Sequence, residues 1–268
     1  MQLNKNLLIA IAVLYMFILI LLPTFTIFYE ALHKGVDVFF DNFNQRNFQE
    51  AIKLSLIITA ITLPLNTIFG LCAAWVIARN KFPGKALLMS IIDLPFSVSP
   101  VVAGLMIVLL FGAQGWFGDW LKEMQIKIIF ALPGMVIATM FVTLPFVARE
   151  VIPVLEEIGT DQEEAARTLG ANDWQIFCRV TLPNIRWGLL YGLLLTNARA
   201  MGEFGAVAVV SGSIMGRTTT LPIFVEQTYK NYQTTTAFSA AMILAFLAGL
   251  TLIFKEILER KTGHKANL

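Results

Sequence analysis

Charge is scarce in this chain: Asp, Glu, Lys and Arg make up 14% of its 268 residues, where an ordinary soluble domain carries roughly 25%. Water is therefore not its main solvent. Histidine is nearly absent, and both copies, His33 and His264, fall outside the long apolar runs, so a Ser-His dyad inside a bilayer is excluded. Asp93 is the one aspartate within such a run, which excludes a paired-aspartate protease. The two cysteines, Cys72 and Cys178, match neither a metal site nor a disulfide framework and read as structural. No Gly-x4-Gly-Lys-Ser/Thr sequence is present: Gly84-Lys85 is followed by Ala86 and has Arg79 at the first-glycine position. The chain therefore carries no P-loop of its own, and a net charge of +2 is too small to attract nucleic acid.

What is plentiful is apolar sequence, at 57%. A hydrocarbon core about 30 Å thick takes about 20 helical residues. Six runs reach that length, at residues 7–28, 54–78, 86–111, 128–148, 187–210 and 234–254. None alternates as a barrel strand does, so the expectation is an all-α, polytopic membrane protein with six transmembrane helices in a single domain. The first run is too long for a signal peptide and has no small-x-small cleavage site after it, so it counts as a span.

Lys and Arg collect on the cytoplasmic side of membrane proteins. With the N-terminus inside, twelve positives face the cytoplasm: Lys5, Arg79, Lys81, Lys85, Arg149, Arg167, Arg179, Arg186, Lys255, Arg260, Lys261 and Lys265. Seven face outward (Lys34, Arg46, Lys53, Lys122, Lys127, Arg217 and Lys230), and Arg199 lies within a span. The expected chain is multi-pass, with both termini cytoplasmic.

The longest inner connection, residues 149–186, is rich in polar side chains and predicts two short helices. Thr160 with Glu163 has the spacing of a capping box, good helix formers follow, and Gly170 stops the run. Asn172 or Asp173 caps the second helix, which is expected to run to Pro183. Small Ala165 and Ala166 permit close approach, and Leu169 with Trp174 offers an apolar tip to a partner groove. A plain amphipathic pair lying on the membrane would share this composition. A DNA-reading helix-turn-helix would not, because the loop holds no excess of bases over acids.

Glu164-Ala165-Ala166, three residues, Gly170, nine residues, Val180, one residue and Leu182-Pro183 resemble the EAA motif of permeases in bacterial binding-protein-dependent ABC importers. Val180 stands where Ile is usual. Residues 93–105, 184–187, 197–207 and 211–214 extend the resemblance over nearly the whole chain, to sulfate/thiosulfate permeases of the CysW type. The resemblance implies the MetI-like architecture of type I ABC importers in the bacterial inner membrane. It also implies that Glu164, Ala165, Ala166, Leu169, Gly170 and Trp174 couple the chain to an ATPase dimer. The subunit would have no ATPase site and no cofactor of its own, with ATP and Mg used by that partner. Its other partners would be a second, similar permease, making a heterodimer, and an extracytoplasmic sulfate/thiosulfate-binding protein. Molybdate or tungstate is the alternative cargo. An ATP-independent channel is the alternative of another class, and it would have no use for the coupling loop.

Arg199 lies roughly 18 Å along the fifth run, near mid-bilayer, with Glu203 at i+4. The pair reads either as an ion pair that lowers the cost of burial, or as a positive charge on the translocation path held by Glu203. Gly202 and Gly205 mark close helix packing or a flexible point. Pro95 and Pro100 each remove a backbone donor in the third run, and Ser97 and Ser99 stand ready for the freed carbonyls. These two segments are expected to line the path or its gate together. Asp93 reads as an interfacial anchor. Residues 211–233, with Gly212, Gly216, three threonines and Pro222, are expected to form an outer loop, either a lid or a passive connector.

Overall fold

The computed structural model describes residues 2–263, so His264 and Lys265 lie outside the described residues. Helices account for all regular structure among the described residues. They are α1 (Gln2–Met16), α2 (Leu22–Leu32), α3 (Val36–Phe43), α4 (Arg46–Arg79), α5 (Lys85–Ser97), α6 (Pro100–Phe111), α7 (Gly118–Glu123), α8 (Leu132–Ile158), α9 (Asp161–Thr168), α10 (Asp173–Ile176), α11 (Leu182–Met201), α12 (Gly205–Ser211), α13 (Leu221–Lys230) and α14 (Thr234–Gly263).

Four helical stretches are long and apolar enough to cross a membrane: Leu7–Leu32, Arg46–Arg79, Leu132–Ile158 and Thr234–Thr251. The third and fifth expected spans are each a bent pair instead. α5 and α6 meet at 109°, and α12 turns by 52° from the helical segment that ends at Met201. At about 1.5 Å per residue, neither α5 nor α6 crosses a 30 Å core alone. The chain bends at Val98 and Ser99 because Pro100 cannot donate to the preceding turn, and instead opens α6 as one of its first residues.

Two prolines behave unexpectedly. Pro183 does not stop a helix: a π-helical turn at Phe177–Thr181 leads straight into α11, with Leu182 N–H donating to the Phe177 carbonyl. The same device joins α1 to α2 through Phe17–Leu21, ahead of Leu22-Pro23. The widened turn moves the carbonyl that the proline ring would strike, so the helix absorbs the residue. Pro222 likewise opens α13, and the expected outer loop is therefore half helix, with Thr218, Thr219 and Thr220 buried before it.

The core sits where α8 is sandwiched between α4 and α11. Val147 on α8 is fully buried, and glycines let both neighbours reach it. A Cβ on Gly70 would come within 2.6 Å of Val147 Cβ, and one on Gly192 within 3.0 Å of Val147 Cα. Close backbone approach of this kind is how helices associate where water supplies no driving force between them. The helix itself continues ten residues past the expected end of the fourth span, through Pro153, which brings Leu155 down to the polar elbow.

Candidate functional site

The polar elbow is built on α9 and α10. α9 ends in a Schellman turn: Ala171 N–H donates to Ala166 O at 3.1 Å and Gly170 N–H to Arg167 O at 3.0 Å. Gly170 takes φ +84, a conformation that favours glycine. α10 carries a full capping box, with Gln175 N–H on Asn172 Oδ1 at 2.8 Å and Asn172 N–H on Gln175 Oε1 at 3.0 Å. Leu169 is 88% exposed and Trp174 73%, so both are free to enter a partner. Glu164 and Ala165 are exposed and Ala166 half-buried. Trp174 stacks on Phe177 at 5.8 Å, and Phe177 meets Trp75 edge-on at 5.8 Å, which stiffens the tip.

The expected capping box at Thr160 and Glu163 does not form. Thr160 Oγ1 donates to Glu164 at 2.8 Å, while Glu163 turns inward to Arg79. The Arg79 guanidinium reaches both Glu163 oxygens, at 2.7 and 3.1 Å, and donates to Leu155 O at 2.7 Å. A bidentate, charge-assisted pair outweighs a neutral cap.

The two broken segments meet. A Cβ on Gly104 of α6 would come within 2.7 Å of Ala206 O, and one on Gly205 within 3.0 Å of Pro100 Cβ. At the break between α11 and α12, Glu203 is 2% exposed and Arg199 contacts it at 2.6 Å. The second Glu203 oxygen accepts the Ala206 N–H at 2.9 Å, so the same carboxylate caps α12. Ser97, Ser99 and Gly202 lie exposed on the isolated chain, Pro95 is buried, and Pro100, Arg199 and Gly205 are half-buried. Ser97 and Ser99 thus flank the bend.

Two features escaped the sequence reading. Asp93 is held by Arg149 at 2.5 and 2.6 Å, tying α5 to α8. Ser55, Thr59, Thr62 and Asn66 form one buried stripe on α4, where Asn66 donates to Thr143 Oγ1 at 2.7 Å and Met140 O at 3.1 Å. The helical spacing of those four polar residues was visible in the sequence. No group of three or more His, Cys, Asp and Glu side chains suited to a metal occurs among the described residues.

Residues 66–264 match the family described as "Binding-protein-dependent transport system inner membrane component". The chain is 70% identical over 260 residues to the "Sulfate transport system permease protein CysW" of Synechocystis sp., covering 97% of this chain and 94% of that protein. It is 37% identical to the "Sulfate transport system permease protein CysT" of Escherichia coli, over 95% of this chain and 92% of that one. A bacterial alginate ABC transporter, solved in complex with an alginate-bound periplasmic protein, shares the fold. The TM-score is 0.79 at 18% identity, covering 97% of this chain and 95% of that chain.

Proposed function

Because the chain belongs to the inner-membrane components of binding-protein-dependent transport systems, we propose that it is the permease subunit that passes sulfate inward through an ABC importer. The observation that carries the cargo is the 70% identity to a sulfate permease across 97% of the chain. The coupling assignment is supported by the α9–α10 elbow, which presents an exposed apolar tip at Leu169 and Trp174. Its partners are an ATPase dimer seated on that tip, a second permease of similar sequence, and an extracytoplasmic binding protein that delivers the anion. The similarity to a protein named CysT as well as to one named CysW favours an unlike pair of permeases. Both termini face the cytoplasm on this reading.

The chain's own groups do mechanical work. ATP-driven closure of the partner draws α9 sideways, and the bent pairs α5–α6 and α11–α12 relay that motion to the path by rigid-body movement. Arg199, half-exposed and held by Glu203, brings a guanidinium to the break, where a dianion would otherwise meet only neutral groups such as the Ser97 and Ser99 hydroxyls. Thiosulfate shares the charge and tetrahedral shape of sulfate and is a second cargo on this reading.

Uptake of labelled sulfate into proteoliposomes holding the complete complex tests the proposal. ATP-dependent accumulation, competed by thiosulfate and not by molybdate, is expected. Equal uptake without the ATPase would overturn it.

A further inference from the structure

We propose that Arg79 is the positioning residue through which movement of α9 reaches the spans. The inference rests on the coupling role given to α9 above and names the joint that this role requires.

The only apolar side chains of α9 are those of Ala165, exposed, and Ala166, half-buried, so apolar packing does little to hold it in place. Polar ties must. Among the described ion pairs of this face, Arg167–Asp173 has side chains 67% and 89% exposed, and Lys85–Glu156 35% and 49%. Exposed pairs of that kind contribute little. Arg79 and Glu163 are different, at 8% and 13%.

The geometry makes this pair a junction rather than a bridge between two points. Arg79 is the last residue of α4, a helix of 34 residues and so about 50 Å long. Its Nε and Nη2 hold Glu163 of α9, its Nη1 holds the Leu155 carbonyl of α8, and Glu163 Oε1 also accepts from Thr181 Oγ1 at 3.0 Å. Thr181 closes the π turn that opens α11. One ion pair thus joins α9 to the three helices that make the core sandwich. The indole of Trp75, one turn earlier, lies 6.0 Å from the Arg79 carbon and walls that side of the guanidinium. A planar fork with fixed donors resists shear in a way that a single ammonium does not. A second tie, Asn184 Nδ2 to Gln162 Oε1 at 2.7 Å, is exposed and neutral, and it joins α9 to α11 alone.

The test uses the complete transporter in proteoliposomes and records ATP hydrolysis and sulfate uptake together. Arg79→Gln and Glu163→Gln are each expected to leave hydrolysis running while sulfate moved per ATP falls about tenfold, the scale of one lost charge-assisted hydrogen bond. The double variant should fall no further than either single one, because both remove the same joint. Arg79→Lys keeps the buried charge opposite Glu163 but loses the fork, and it should assemble normally with an intermediate ratio. An unchanged ratio in Arg79→Lys and in the neutral variants, or independent losses that multiply in the double variant, would overturn the inference. Wild-type uptake that proceeds without ATP would remove the coupling reading itself, a result separable from the first because it appears before any substitution is made.

Discussion

Glu203 shows how one residue serves two demands. A carboxylate within an apolar span is costly, and the i+4 spacing from Arg199 already pointed to an ion pair. The second demand was not legible, because it arises only where α11 breaks: Glu203 Oε1 takes the Ala206 N–H at the start of α12, which no helix carbonyl can satisfy. Glu203→Ala removes both contacts and strands a half-buried guanidinium. The expected loss is about 3 kcal/mol, at the low end for a broken buried pair because Arg199 keeps some solvent. A lower Tm for the purified complex in detergent reads it. Arg199→Gln spares the cap on α12 but leaves the buried Glu203 carboxylate without its cation, so a lowered Tm is expected together with reduced sulfate uptake, whereas Arg199→Lys keeps the charge and should hold Tm near normal. Glu163 gives the opposite lesson. Its spacing from Thr160 fits a capping box, yet a partner 84 residues away in sequence takes the side chain, and local pattern carries no information about such a competitor.

At the scale of elements, the sequence was most legible where a single residue type dictates the backbone. Gly170 ends α9 as its chemistry requires, and of the two candidates Asn172 and Asp173 it is Asn172 that caps α10, with Gln175 completing a box that was not read. Gly170 has no atom close enough for a new Cβ to strike, so the cost of Gly170→Ala is conformational alone. It should be about 1 kcal/mol, with Gly170→Asn costing less because Asn tolerates the left-handed region. Hydrogen exchange at Ala171 and Gly170 checks this, as the Schellman bonds should open more often in Gly170→Ala than in Gly170→Asn. Proline was read less well. Pro183 and Pro23 each follow a π turn that lets the helix continue, whereas Pro100 ends one helix and begins another at 109°. The dipeptide Leu-Pro looks alike in the first two cases; what differs at Pro100 is the flanking Ser-Val-Ser, which favours an extended backbone over a wider turn. Hydropathy alone joined α5 to α6 and α11 to α12 into single spans, because composition averages over a bend.

Across the whole molecule, the two bends lie against each other, with Gly205 packed on Pro100 and Gly104 on Ala206, so the weak points of two spans form one line. On one side of that line, Arg79, Asp93 and Arg149 bind α4, α5, α8 and α9 into one block. On the other, Phe130 N–H reaches Val210 O at 2.9 Å, and Thr218 Oγ1 reaches Ser211 O at 2.7 Å, making a second. The unbroken α4 and α8 cross that line, so relative movement is confined to the bent pairs α5–α6 and α11–α12, and the hinge proposed for alternating access lies where their two bends meet. The exposed residues at the break, Ser97, Ser99 and Gly202, then face either the path or lipid, and chemistry distinguishes the two. In a background carrying Cys72→Ser and Cys178→Ser, needed because Cys72 is exposed and Cys178 half-buried, single cysteines at these positions are offered a membrane-impermeant maleimide. If they line the path, they label in the assembled transporter, and the rate changes when ATP and loaded binding protein are supplied, because the hinge then opens toward the other side. If they face lipid, the reagent does not reach them in any state, and the gate belongs elsewhere in the chain.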